Sequence, residues 1–456
     1  MNDLIKKWTF AAIVLLLISC GAGKSSTRLA PKFLDYAKTP PMGWNSWDCY
    51  GPTVTEPEVK ANADYMAENL KSHGWQYIVV DIRWYVENDK AGGYNEKDPV
   101  FTMDEYGRLL PAVNRFPSAA GGNGFKALAG YIHSKGLKFG IHLMRGIPAE
   151  AVKKNCPVLG TSVKAGDIYS KDGLCTWLHD MYTVDASKKG AQQYYNSIFD
   201  LYASWGVDYV KVDDLSRPYH QAEIEMIRKA IDQCGRPMVL SASPGATPLA
   251  KADHVMNHAN LWRICDDFWD NWKMLKPQFK RCADWAPYAG KGHWPDADMW
   301  PLGHIALRAE RGSDRMTGFT KPEQYTLINL WCMFRSPLMF GGDLPTNDDF
   351  TLSLLTNDEV LAVNQSSTNN KQVKDENGLI VWTADVPGSQ DKYVGLFNIR
   401  DSISSEVSVS LTELGISGNY LVKDLWSKEK KGQTSDNYTV LLEPHASELV
   451  RFSKLK

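Results

Sequence analysis

The chain has no excess of either charge. Its 51 Lys and Arg against 53 Asp and Glu give a formal net charge of -2, which leaves no electrostatic case for binding nucleic acid. None of its eight cysteines stands at C-x-x-C spacing, so no zinc site is suggested. No glycine-rich turn follows an apolar run, which argues against a dinucleotide-binding open sheet and the dehydrogenase it would carry. Gly23-Lys24-Ser25 imitates the end of a phosphate-binding loop, but Ile18 stands where that loop needs its first glycine. His254 and His258 have helical spacing, yet no Glu follows the first and no third ligand stands nearby. They read as loop and core histidines, with no metal bound. No apolar run reaches the ~20 residues of a spanning helix, and there is no internal repeat or long low-complexity stretch.

What is present is more specific. Hydrophobic content of 43% and charged content of 23% are those of a soluble globular protein long enough for a large domain plus a smaller one. Sixteen Trp offer faces for sugar rings, although large cores consume Trp too. Lys6 and Lys7 precede a short apolar run, Phe10 to Ile18, as in a secretion signal over residues 1–19. Leu17-Ile18-Ser19-Cys20 resembles a bacterial lipobox. That resemblance implies export and a lipid on Cys20, with the protein anchored in a bacterial envelope, on its periplasmic side or at the cell surface. An ordinary signal peptide with a coincidental Cys is the alternative. Residues 20–38 then form a tether and lead-in. Cys156 and Cys175 bracket a polar, glycine-containing loop, which suits a disulfide in an exported protein and suits two free thiols as well. Cys49, Cys265 and Cys332 sit in apolar runs and read as buried thiols.

From about residue 39 to 350, strand-like and helix-like segments alternate. Apolar strands are expected at 41–47, 77–84, 138–143, 207–213, 238–243, 261–267, near 298, and at 337–341. Amphipathic helices lie between them, and Gly74, Gly136, Gly206 and Gly235 stand at their ends. Eight such units predict a closed (β/α)₈ barrel, with an open doubly wound sheet as the alternative. From about 365 to 456 short alternating segments separated by turn residues predict an antiparallel β-sandwich.

Several predicted strands end in acid. Val207 to Asp214 runs from apolar to charged, and alternation puts Lys211 and Asp213 on one face. A nucleophile and a substrate clamp suit that face; so does a plain ion pair, or a helix cap at Asp214. Leu261 to Asp270 is a second such stretch, with Arg263 and Asp267 expected on one strand face. Asp81 and Asp298 end two more. Separate carboxylates at strand ends, interleaved with Trp, are what a glycosidase needs: two acids across a glycosidic bond, and aromatic walls.

Thr39-Pro40-Pro41-Met42-Gly43-Trp44-Asn45-Ser46-Trp47 resembles the opening of glycoside hydrolase family 27, the α-galactosidase and α-N-acetylgalactosaminidase family. Lys211-Val212-Asp213 is similar to its nucleophile strand and Arg263 to Trp272 to its acid/base segment. Asp296-Ala297-Asp298-Met299, Arg335-Ser336-Pro337-Leu338 and Pro444-His445-Ala446-Ser447 match later motifs. The resemblance implies a retaining, exo-acting hydrolase that needs no cofactor, with Asp213 as nucleophile and Asp267, rather than Asp266, as acid/base. The two carboxyls would stand ~5–5.5 Å apart, with Asp267 kept protonated by lower solvation or nearby charge. Trp47, Asp81, Ile82, His142, Lys211, Ser243, Arg263 and Asp298 would contact the sugar.

The chain departs from the family at Ile82, where a second Asp usually follows Asp81 and holds the sugar's outer hydroxyls. β-L-Arabinopyranose is α-D-galactopyranose without the hydroxymethyl carbon, and Ile82 would fill that space. Asp81-Ile82 therefore resembles the family's β-L-arabinopyranosidase branch; an ordinary α-galactosidase in which Arg83 or a loop supplies the lost contact is the alternative. Ser243 replaces a frequent Glu near the 2-hydroxyl, which keeps α-N-acetylgalactosaminidase in view, and His142 stands where Tyr is common. A lipoprotein that binds oligo- or polysaccharides without cutting them would lack a catalytic carboxylate, and both are present. The sequence leaves the oligomeric state open.

Overall fold

The computed structural model describes residues 31–455. The expected signal, Cys20 and most of the tether lie outside the described residues. Eight parallel strands form one sheet: β1 (Met42–Asn45), β2 (Tyr77–Val80), β3 (Lys138–Met144), β4 (Tyr209–Asp213), β5 (Val239–Ala242), β6 (Leu261–Arg263), β7 (Trp294–Asp296) and β8 (Leu338–Phe340). They pair in sequence order, and β8 returns beside β1. Trp300 closes the ring between β7 and β8: its N–H reaches the Met339 carbonyl at 2.8 Å, and its carbonyl accepts from Gly341 at 2.9 Å. The expected barrel is thus present, and most of its strands are shorter than the apolar runs that announced them; β3 runs one residue beyond its expected end.

Side-chain alternation sorts the strand residues into two cores. Ile78, Val80, Ile141, Val210 and Leu240 face outward under the helices. Tyr77, Val79, Tyr209, Val239, Leu261 and Trp294 face inward and fill the barrel. The helix between β1 and β2, α1 (Glu56–Tyr65), starts on a capping box in which Thr55 and Glu58 bond reciprocally. It buries Val59 and Ala63, runs on through a wide π turn (Met66–Leu70), and stops at Gly74, whose φ of 97° places it in the left-handed region. Gly206 does the same, at φ 88°, after α2 (Ala191–Trp205).

Residues 32–38 dock under the barrel rather than hang free. The Phe33 carbonyl accepts from Asn260, just before β6, and the Ala37 carbonyl accepts from the indole of Trp294, which begins β7. Among the described residues no helix is long and apolar enough to cross a membrane.

The sandwich follows. Its six-stranded sheet runs β9 (Thr368–Glu376), β10 (Leu379–Asp385), β11 (Lys392–Asn398), β16 (Ser447–Lys454), β13 (Tyr420–Asp424), β14 (Lys430–Thr434). A two-stranded ribbon, β12 (Ser405–Ser410) with β15 (Asn437–Leu442), covers it across Val394, Leu396, Val407, Val409 and Phe452. The sequence reading missed β9 and β14. Both are edge strands, Lys-bearing and largely exposed, and polar edges of this kind discourage pairing with another chain.

The disulfide considered between Cys156 and Cys175 is not formed; both thiols are free. Cys156 packs in the outer core, and Cys175 in the inner one with Met144 and Met181. The polar loop they bracket contributes Tyr169–Leu174 to a small antiparallel sheet with Met181–Val184 and Ile147–Pro148, whose backbone bonds hold it instead. Cys49, Cys265 and Cys332 are buried thiols, as expected.

Candidate active site

The C-terminal ends of the strands open into a cavity of about 630 Å³. Trp47, Ile82, Lys211, Asp213 and Asp267 line it. Asp81, His142, Ser243, Arg263 and Asp298 are buried close behind.

The register of β3 on β4 pairs His142 with Lys211 and Met144 with Asp213. His142 Nε2 thereby comes within 2.9 Å of Asp213 Oδ2. Lys211 Nζ donates to Asp81 Oδ2 at 3.0 Å, and Asn45 Nδ2 donates to the same oxygen at 2.7 Å. Burial opposes ionisation of Asp213, but Lys211 and His142 outweigh it, with the Ser243 hydroxyl helping, and hold the carboxyl well below the usual range. Asp81 is lowered for the same reason: burial opposes, Lys211 and His142 prevail. In return Asp213 and Asp81 raise the Lys211 ammonium against the cost of its own burial.

A carboxylate whose folded pKa is depressed stabilises the fold above its unfolded value, about 3.9, and that contribution is lost as the pH falls. Wild type should therefore lose stability relative to Asp213→Asn as the pH drops below about 4. Thermal melts of both proteins from pH 3 to 7 check this; a gap independent of pH would contradict it.

Asp267 is not on the strand face expected for it. β6 ends at Arg263, because Ile264 still donates to the Asp296 carbonyl but the chain then turns away. Asp298, at φ 89°, catches this turn: its Oδ2 accepts from Phe268 N at 2.7 Å and pairs with Arg263 at 2.6 Å. Arg263 Nη2 also reaches Asp267 Oδ1 at 3.4 Å. Farther along, Asp270 ties the segment to Arg315 and to the Gly318 amide, each at 2.6 Å. Burial, with Asp267 and Asp296 nearby, pushes Asp298 up to about 7 against the pull of Arg263. The fold itself does not give Asp267 the low solvation expected of it: its side chain is 42% exposed at the cavity mouth. Asp266 also lines the cavity, where it forms a two-bond pair with Arg217.

Ile82 is 2% exposed and donates its N–H to Asp81 Oδ1 at 2.8 Å. Arg83 cannot stand in for a missing acid. Its guanidinium is fully buried and spent on both Asp180 oxygens at 2.9 Å and on Asp89 at 3.1 Å.

Several cavity residues escaped the sequence reading. Tyr94 stacks on Trp47 with centroids 5.9 Å apart, and Trp177 lies next to it at 6.4 Å. Both come from long segments between barrel strands, and unusual loop length was the only available signal. Asp214 is not a helix cap. At φ 65° it accepts from the Trp177 indole at 3.0 Å and pairs with Arg145 at 2.6 Å, so it braces the wall behind Asp213. Asp48, directly after Trp47, is buried beneath the cavity, and burial raises its carboxyl well above the usual range, with Asp298 adding to the effect.

A barrel with paired acids at its open end and Trp and Tyr on the walls suits sugar chemistry. Residues 39–188 and 179–366 match the family described as alpha galactosidase A, and residues 376–452 match the alpha galactosidase C-terminal beta sandwich domain. A solved glycoside hydrolase family 27 β-L-arabinopyranosidase from Geobacillus stearothermophilus is 55% identical, with a TM-score of 0.91 over 92% of this chain and 98% of that one. The chain belongs to glycoside hydrolase family 27. It is a glycosidase on a TIM-barrel fold. Other family 27 relatives include alpha-galactosidase 2 of Arabidopsis thaliana, 28% identical over 92% of this chain and 91% of its own length. Alpha-galactosidase A of Cellvibrio japonicus is 31% identical over 81% and 78%. A variant of the Geobacillus enzyme has been solved in complex with arabinose, at 55% identity over 93% and 99%.

Proposed function

We propose that this family 27 member is an exo-acting, retaining β-L-arabinopyranosidase. The observation that carries the sugar assignment is Ile82: a buried apolar side chain stands beside Asp81, and Arg83 is committed elsewhere. A hydroxymethyl group pushed toward Ile82 would leave its hydroxyl without a partner, whereas the bare ring carbon of arabinopyranose packs against it. The close relationship to a β-L-arabinopyranosidase supports the same reading.

In this mechanism Asp213, ionised beside Lys211 and His142, attacks the anomeric carbon and forms a glycosyl-enzyme. Asp267 protonates the departing oxygen and then takes a proton from water. Substrate entering the mouth covers Asp267 and lowers its solvation. Asp81 and Lys211 hold ring hydroxyls, and Trp47 offers its face. The second reading, α-galactosidase, is favoured by the names of the 28–31% relatives.

Two measurements on wild type decide the matter. The specificity constants for 4-nitrophenyl β-L-arabinopyranoside and α-D-galactoside should favour the arabinoside, and a tenfold preference for galactose would reverse the assignment. Proton NMR of the first-formed sugar should show the substrate's anomeric configuration, and its inversion would rule out a glycosyl-enzyme.

A further inference from the structure

Outside the cavity, the fold completes a ligand set that the sequence leaves at two. His254 lies on a short helix (Ala252–Met256) rather than in a loop, and His258 follows one turn later. Glu225 comes from the neighbouring helix Gln221–Gln233. The carboxylate oxygen of Glu225 and one ring nitrogen of each histidine all lie within 4.8 Å of one another. We propose that Glu225, His254 and His258 form a site for a divalent transition metal, Zn²⁺ fitting best, with solvent in the fourth position. This proposal is independent of the glycosidase mechanism.

Two imidazoles and a carboxylate are a ligand set that Zn²⁺ accepts in tetrahedral geometry. The tautomers also suit it. His258 Nδ1 lies 2.7 Å from the His254 carbonyl. A carbonyl can only accept, so the proton of neutral His258 sits on Nδ1 and Nε2 carries a bare lone pair. His254 Nδ1 is 2.7 Å from the Tyr219 hydroxyl, which can accept its proton and free Nε2, 3.1 Å from Glu225 Oε1. Ring nitrogens oriented from behind in this way are a regular feature of metal-bound histidines. The two rings stack with centroids 4.1 Å apart. Gln221 Nε2 donates to Glu225 Oε1 at 3.0 Å, and Lys251 in turn donates to Gln221 Oε1 at 3.2 Å. Zn–N bonds of about 2.0–2.1 Å require the donors to close in, and Glu225, half-exposed, is free to swing.

The ion would tie together the two helices and, through Tyr219, the loop after β4 that also holds Asp214. Its expected effect is therefore on stability, with the chemistry unchanged.

The test titrates chelator-treated full-length protein with Zn²⁺ under equilibrium dialysis and thermal melting. Wild type should take up one equivalent that His258→Ala does not, with a melting rise of roughly 2–5 °C at a large excess over Kd. Glu225→Gln should bind about tenfold or more weakly, yet hydrolyse an aryl glycoside at the wild-type rate without metal, showing that its fold is intact. Co²⁺ should give the visible absorption of a four-coordinate site in wild type and lose it in His258→Ala. If His258→Ala fails to fold, Glu225→Gln and Tyr219→Phe carry the comparison. Equal uptake and equal melting shifts in wild type and Glu225→Gln, or no uptake by wild type, overturn the proposal.

Discussion

Asp213→Asn is expected to lower turnover of an aryl β-L-arabinopyranoside by about four orders of magnitude or more while leaving the protein folded; that loss corresponds to ~5–6 kcal/mol of transition-state stabilisation. An amide oxygen is a poor nucleophile, and the substitution also leaves Lys211 and His142 without the anion they face. Asp213→Ala should regain activity with azide, which can occupy the vacated space and attack from the same side, giving a glycosyl azide of inverted configuration. Asp267→Asn should behave differently. A 4-nitrophenyl leaving group departs without a proton, so bond cleavage on that substrate should suffer far less than on an arabinoside with an alkyl alcohol, where ~10²–10⁴-fold of general-acid help is lost. Fully active Asp213→Asn, with an intact melting curve, would remove Asp213 from the chemistry.

The second large effect is expected at Ile82. Ile82→Asp should move the ratio of specificity constants toward the α-D-galactoside by about two orders of magnitude, since a carboxylate–hydroxyl bond is worth ~1.5–3 kcal/mol and the arabinoside loses its apolar contact. The new carboxylate would sit beside Asp81 and close to Asp213, so the melting temperature should fall, with Lys211 limiting the repulsion. Ile82→Ala separates fit from hydrogen bonding. It opens the space without supplying a partner, and it should weaken the arabinoside without rescuing the galactoside to the level of Ile82→Asp. Kinetics on both aryl glycosides for the three proteins, read as ratios, test this directly. If Ile82→Asp leaves the ratio unchanged, the sugar is chosen elsewhere in the cavity.

The barrel was legible because its strands are buried on both faces and read as apolar runs, while the helix ends that precede several of them require glycine. Strand β4 shows this at its clearest: Val210 and Val212 turn outward, and Lys211 and Asp213 turn into the cavity. Legibility failed wherever position depends on partners distant in sequence. Asp267 left its strand because Asp298, 30 residues on, takes the Phe268 amide. Edge strands β9 and β14 have one neighbour each and no apolar face that must be buried, so their residues carry little period. Tyr94 and Trp177 meet over the cavity from separate loops. The polar loop between Cys156 and Cys175 suits a bridge and two free thiols alike, and what separates them is the two different cores that receive them. Glu225 joins His254 from a helix 29 residues earlier, a meeting that no local motif announces.

The docking of residues 32–38 has a practical side. Phe33 and Ala37 bond to Asn260 and Trp294, where β6 and β7 begin, while Asp213 and Asp267 line the cavity where strands end. Any leash attached ahead of Lys32 joins the barrel at its floor. An enzyme fixed to a bead, a scaffold or a fusion partner through that end presents its mouth to the surrounding solution, and a long polysaccharide can reach it without passing the support.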